Sequence, residues 1–273
     1  MARENTVYLH GQIPSKPKLY VDPEGNIVHG TFTLNVMRRP FLTGEGQPNM
    51  GNLRIDNPVI MTRDPDLLKQ VITFHAGDMV DVKGVLTTRN AKKDSFCPNG
   101  HRNSQIGTLV FVTPIYLCRR EQGLSIEEGG RLIRDRCEIS NNVIIVGTVC
   151  KELDFHEFDE EQKGCVAQYQ IASNRRYHIK DAHNDERTDY PWVKTINQQA
   201  RQDKEHLRVG SVVMLNAAIQ TRNIKRELTC PICSAKYEIE ETVSELFPYA
   251  VEYLMGCYFA PKEGEEEDQE SEG

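Results

Sequence analysis

Apolar and polar residues alternate in short runs along most of this chain. Gly30 to Val36 places Phe32, Leu34 and Val36 on one face, the two-residue period of a half-buried strand. Thr6–Gly11, Pro58–Met61, Met79–Leu86, Thr108–Leu117, Cys165–Ala172 and Ser211–Ile219 are further short apolar runs. Asp22–Asn26 is a turn cluster, rich in the residues that accept tight backbone geometry. Phe41–Asn52, rich in Gly and polar residues, reads as a loop able to close over a ligand, and Glu157–Gly164 as a charged hairpin tip. Three segments carry helix signals instead. Asp64–Val71 has a capping Asp and then a proline, the order that opens a helix. Ser125–Glu128 forms a capping-box pattern ahead of Leu132 and Ile133, a linker helix weakened by Gly129-Gly130. Asn197–His206 is a polar helical stretch between two strands. The pattern predicts an all-β fold with short helices.

The pattern also occurs twice. Pro58, Gly77, Thr88-Arg89-Asn90 and Cys97-Pro98 recur 133 positions later as Pro191, Gly210, Thr221-Arg222-Asn223 and Cys230-Pro231. Arg38-Arg39 recurs as Arg175-Arg176 at a displacement of 137, and Gly11 as Gly147 at 136. A nearly constant displacement across unrelated features implies one fold used in tandem. The expected division is a first domain over 1–120, a linker helix over 121–140, a second domain over 141–260 and a tail over 261–273.

Composition adds three constraints. The net charge is −7, but the last twelve residues hold seven acids and one lysine, so the body is nearly neutral. Clustered charge on such a body suffices to bind a polyanion. The tail has no apolar periodicity and is expected to be disordered. There is no apolar run of membrane-spanning length and no apolar core in MARENTVYLHG, so no membrane partner and a cytoplasmic location are expected. Eight cysteines in that setting read as reduced thiols or metal ligands rather than disulfides.

Thr188–Asn223 carries the chemistry. Tyr190 and Trp192 stand two apart, which in a strand turns both rings to one face, opposite Val193. Exposed rings followed by Arg222, Lys225 and Arg226 suit an unpaired nucleic acid, because rings stack on any base and cations follow phosphates. Thr188-Asp189-Tyr190, Leu207-Arg208-Val209-Gly210-Ser211 and Gln220-Thr221-Arg222 resemble the central block of bacterial single-stranded DNA-binding proteins, which read T-E-W, L-R-K-G-S and G-Q-L-R-T-R over the same length. Asn142–Gly147 is similar to that family's opening strand. The resemblance implies two OB-fold Greek-key barrels and single-stranded DNA as ligand. It also implies an acidic tail that competes for the groove and recruits replication or repair proteins, and, since single-domain relatives assemble as tetramers, a tandem chain that acts as a monomer or as a dimeric homo-oligomer.

The candidate phosphate contacts are Arg38, Arg39, Arg175 and Arg176 after matching strands, and Arg89, Lys92, Lys93, Arg222, Lys225 and Arg226 at the ends of the fourth strands. Repeated clusters of like charge call for an anion. Tyr177 joins Tyr190 and Trp192 as a candidate ring, with Phe41 and Tyr8 behind them. Cys230-Pro231-Ile232-Cys233 is a C-x-x-C, and Cys97 with His101 is its counterpart. Zinc takes four such N or S ligands. Either Cys97, His101, Cys230 and Cys233 meet in one structural zinc site, or each knuckle recruits a later residue such as Cys118 or Cys257. Cys137, Cys150 and Cys165 read as packing.

No catalytic motif stands out, so the chain is read as a binding protein and not an enzyme. The expected function is sequence-tolerant single-stranded DNA binding in replication, repair or mobile-element transfer. The alternatives are a protein-interaction scaffold or an RNA-binding accessory OB-fold protein.

Overall fold

A computed structural model describes residues 4–40, 53–158, 164–176, 179 and 187–259. The chain starts with β1 (Asn5–Gln12), β2 (Lys18–Val21), β3 (Ile27–Thr33), β4 (Val36–Met37), β5 (Ile55–Asp56) and β6 (Val59–Thr62). Helix α1 (Pro65–Val71) and the long strands β7 (Met79–Phe96) and β8 (Arg102–Glu121) complete the first round. Helices α2 (Ile126–Asp135) and α3 (Cys137–Ser140) lead to the second. There β9 (Asn141–Val149), β10 (Asp154–Glu157), β11 (Cys165–Asn174), β12 (Thr188–Asp189) and β13 (Trp192–Ile196) precede α4 (Asn197–His206), β14 (Val212–Thr229) and β15 (Lys236–Met255).

Each round closes a five-stranded barrel. In the second, β9 pairs with β11 and β14, β14 with β15, and β13 with β11, while β13 meets β15 in parallel at Val193 and Leu246. The first repeats this order with β1, β7, β8, β6 and β3, including a parallel contact at Ile60 and Val112. It closes through a single bridge, in which Gln12 and Asn35 exchange backbone hydrogen bonds of 3.1 and 2.8 Å. Gly11 permits this closure, because a Cβ there would lie 2.4 Å from the Asn35 carbonyl oxygen. This is the OB-fold strand order, present twice. The barrels join edge to edge: β1 runs antiparallel to β9 with Val7 opposite Val143, so one sheet of thirteen strands passes through both.

Alternation explains the interior. Phe32, Leu34 and Val36 are buried as one face, and one apolar cluster continues through Val7, Val143, Tyr169, Val193 and Leu246. The helices form where their start signals stand. Asp64 accepts from the Asp66 N–H at 2.9 Å, and α1 buries Leu67, Leu68 and Val71. Ser125 and Glu128 make the reciprocal capping box of α2. The glycine that weakens α2 has a packing reason: a Cβ on Gly129 would lie 2.3 Å from the Gln12 side chain. That side chain ties β1 to the helix start through the Leu124 and Ser125 carbonyls, at 3.1 and 3.0 Å. Helix α4 is polar on its surface but holds buried Asp203, which accepts from Thr195 and Tyr253 at 2.7 Å each.

The fourth and fifth strands depart from expectation. They do not stop at Leu86, Leu117 and Ile219. The β7–β8 pairing continues to Phe96 opposite Arg102, and β14–β15 to Thr229 opposite Lys236. Beyond the barrels both hairpins are arms of mostly polar residues, in which apolar alternation is confined to short stretches such as Tyr237 and Ile239. The arms touch, with Ser95 Oγ 2.9 Å from the Tyr237 hydroxyl and Lys93 paired to Glu241.

Candidate nucleic-acid interface

The seam between the barrels is built from matching parts. Arg175 holds Asp189 through two hydrogen bonds, of 2.5 and 2.7 Å, and both side chains are buried, at 3% and 0% exposure. Asp189 in turn accepts from the Thr88 N–H of the first barrel at 2.8 Å. Arg38 and Asp56 repeat this, with Nε and Oδ2 2.7 Å apart though off the hydrogen-bond line. Asp56 accepts from the Thr221 N–H of the second barrel at 2.8 Å. Burial raises the Asp56 carboxyl above the ordinary range, against the opposing pull of Arg38. Thr88 and Thr221 complete the exchange, accepting from the N–H groups of Tyr190 and Asn57 at 2.8 Å each.

Two troughs open along this seam, and each draws residues from both barrels. One, of ≈ 460 Å³, is lined by Arg89 and Asn90 of the first barrel and by Lys151, Arg187 and Tyr190 of the second. The other, of ≈ 390 Å³, brings Arg38, Arg39 and Arg54 against Lys194, Phe247 and Tyr249. Arg39 stacks 4.2 Å from the Tyr249 ring centre, and its backbone N–H donates to the Tyr249 hydroxyl at 2.8 Å. The Arg39 guanidinium also donates to Asn216 at 2.8 Å. Lys194 is held below the ordinary lysine value, first by burial and then by Arg222 nearby.

The rings fall where a strand could touch them. Tyr190 lies between β12 and β13 and is 46% exposed at the trough. Trp192 begins β13 half-buried, with the Lys151 ammonium 4.9 Å from its ring centre, while Val193 faces the core. Tyr8 is exposed beneath Lys83. Tyr177, Phe41, the 41–52 loop and the acidic tail lie outside the described residues.

Several expected phosphate contacts are corrected. Arg175 is sealed in its ion pair and presents no charge to a ligand. Arg38, 11% exposed, spends its guanidinium on Asp56 and on Gln220, to which it donates at 2.6 Å. The basic tract in the outer half of β14 is laced to β15: Arg222 to Glu245 at 2.8 Å, Arg226 to Glu241 at 3.4 Å, and Lys225 to Glu238 at 3.9 Å. In the first arm Lys93 also pairs with Glu241, whose carboxyl is lowered chiefly by that lysine. Strand β15 carries acids diagonally across from these cations, two residues from the directly opposed positions, and only its register against β14 brings them together. Arg176 is exposed and 3.6 Å from Glu4, and Lys92 is exposed on its arm. Arg89 lies beside Phe111 at the first trough.

Arg54 and Arg187 were not anticipated. They stand 133 positions apart, each two residues before a seam aspartate, and both are exposed at the troughs. The repeat displacement is the signal that finds them. Lys151, Lys194, Phe247 and Tyr249 had no such signal, since they reach the troughs only through the folding of distant strands.

The knuckles converge at the tips of the arms. Ligand atoms of Cys97, His101, Cys230 and Cys233 all lie within 4.8 Å of one another, while Cys118 and Cys257 stand elsewhere. Burial raises the Cys97 thiol. Cys233 is lowered to about 6, first by the Ala235 N–H, then by Asn99 and His101.

Paired OB barrels with cation-and-ring troughs at their junction define the class of fold, a tandem OB-fold protein. Residues 140–242 match the model of the single-strand binding protein family. Among solved structures, the wild-type single-stranded DNA-binding protein from Thermus aquaticus is similar in fold. It shows a TM-score of 0.61 and 17% identity over 95% of this chain and 96% of that one. A deletion variant of the same Thermus protein gives a TM-score of 0.60 and 17% identity, covering 96% of this chain and 100% of that chain. No curated protein sequence matches the chain. Among the described residues no helix is long and apolar enough to cross a membrane.

Proposed function

We propose that the protein binds single-stranded DNA with little sequence preference, as a binding protein of replication, repair or mobile-element transfer. The observation that carries this reading is the pair of seam troughs, each presenting an exposed arginine and at least one ring from a junction of two OB barrels. The family match over the second half supports it. Arg54, Arg187, Arg39 and Lys194 take phosphates, and Tyr190 takes a base, with Trp192 beside it. Stacking contributes about 1–3 kcal/mol per base and does not discriminate strongly among bases. The acidic tail competes with DNA for the same cations and offers a surface to replication or repair proteins. The site of action is the cytoplasm.

Trp192 is the single tryptophan and lies against Lys151 of the first trough, so its emission reports on that trough. Titration with oligo-dT should change that emission. The logarithm of affinity should fall linearly with the logarithm of salt, by about 0.7 per phosphate neutralised. Unchanged emission together with no retention of oligonucleotide would overturn the reading in favour of a protein scaffold. Tighter binding of RNA than of DNA of equal length would redirect it to RNA.

A further inference from the structure

The geometry points to a single structural zinc ion shared by the two halves of the chain, bound by Cys97, His101, Cys230 and Cys233 at the meeting point of the arms. A tetrahedral zinc bonded at about 2.3 Å to sulfur and about 2.0–2.1 Å to nitrogen keeps its ligands about 3.5–3.8 Å apart. Cys97 Sγ lies 3.8 Å from Cys233 Sγ and 3.6 Å from His101 Nδ1, and Cys230 Sγ lies 3.8 Å from His101 Nδ1. These match three of the six edges of such a tetrahedron, and all four ligand atoms lie within 4.8 Å of one another. A disulfide requires sulfur atoms about 2.0 Å apart, far closer than Cys97 and Cys233 stand.

The backbone presents the ligands in two similar turns. Cys97 N–H donates to the His101 carbonyl at 3.0 Å, and Gly100 N–H to the Cys97 carbonyl at 2.8 Å. Cys230 N–H donates to the Ala235 carbonyl and Ser234 N–H to the Cys230 carbonyl, both at 2.9 Å. Asn99 of the first turn donates its amide to Cys233 Sγ of the second at 3.4 Å, the kind of outer contact that orients a metal-bound thiolate. Three thiolates and one neutral imidazole, bound through Nδ1, would give the zinc site a net charge of −1.

Neither arm can hold the ion alone, since each supplies two ligands. The metal therefore ties the far end of the first barrel's arm to that of the second. Apart from the tips, polar contacts such as Ser95 with Tyr237 hold the arms together, and these are individually weak in water.

The test uses the reduced full-length chain. Metal content is measured after purification without added chelator, and the metal-stripped protein is then titrated with cobalt(II). One zinc per chain is expected, with a one-to-one cobalt complex showing tetrahedral d–d bands and thiolate charge transfer. Cys97→Ser and Cys230→Ser should each abolish the tetrahedral spectrum, one ligand being lost from each half. His101→Cys should keep it with shifted bands, and Cys118→Ser should leave it unaltered. Circular dichroism of each variant separates loss of the site from loss of the fold. The proposal is overturned by reduced, folded protein that gives no tetrahedral cobalt spectrum. It is equally overturned by a spectrum that survives Cys97→Ser, or by thiol counting that finds these cysteines disulfide-bonded in metal-free protein.

Discussion

The Asp56 carboxylate accepts the backbone N–H of Thr221 at 2.8 Å, across the seam between the two barrels. Asp189 returns the contact to the N–H of Thr88 at the same distance. Each aspartate is held by an arginine of its own barrel, so two buried ion pairs set the position of one barrel on the other. Asp189→Asn keeps the hydrogen-bond acceptor but strands the Arg175 charge at 3% exposure. Removing one member of a buried pair costs about 3–5 kcal/mol. Urea denaturation should show a lower midpoint by that measure, and a loss under about 1 kcal/mol, the scale of exposed pairs, would remove the seam role.

Tyr190 is exposed and Trp192 is half-buried, so the two rings should separate binding from stability. Tyr190→Ala is expected to weaken oligo-dT binding by about 1–3 kcal/mol with little change in the denaturation midpoint. Tyr190→Phe should bind as the parent does, because the ring face and not the hydroxyl carries the contact. Equal affinity of the alanine variant would remove Tyr190 from the interface.

Cations at the troughs and cations on the arms should differ in their salt response. Arg54→Ala and Arg187→Ala should each make the log–log salt dependence shallower by about 0.7. Arg226→Ala, whose guanidinium faces Glu241, should leave that slope nearly unchanged. The reverse ranking in fluorescence titrations at four salt concentrations would move the phosphate path from the seam to the arms.

The tail from Lys262 to Gly273 carries seven acids and should compete with DNA through charge alone. Its deletion is expected to tighten oligonucleotide binding at low salt, with the gain vanishing as salt screens it. Equal affinities at low salt would show that the tail does not reach the troughs.

Much of the fold was legible because its signals are local. Phe32, Leu34 and Val36 alternate, Asp64-Pro65 opens a helix, and Ser125 with Glu128 closes a capping box, whatever the rest of the chain does. The arms were not legible. Their apolar residues, such as Leu228 opposite Tyr237, are sparse among charged ones, so the continuous apolar runs end at Leu86 and Ile219. The candidate site divided in the same way. Tyr190, Trp192 and the four knuckle residues could be named from motif and repeat, as could the pairing of Arg38 with Arg175. What those arginines do could not.

The sequence by itself determined that one barrel pattern occurs twice, that rings stand near the start of the second barrel's third strand, and that two thiol-bearing turns share a displacement of 133 residues. Only the tertiary structure decided which charges remain open. Arg175 and Arg187 are both arginines near strand ends. One is buried against Asp189 and the other stands at the trough, because the partner that neutralises a charge lies nearby in space and across a strand register, not nearby in the chain.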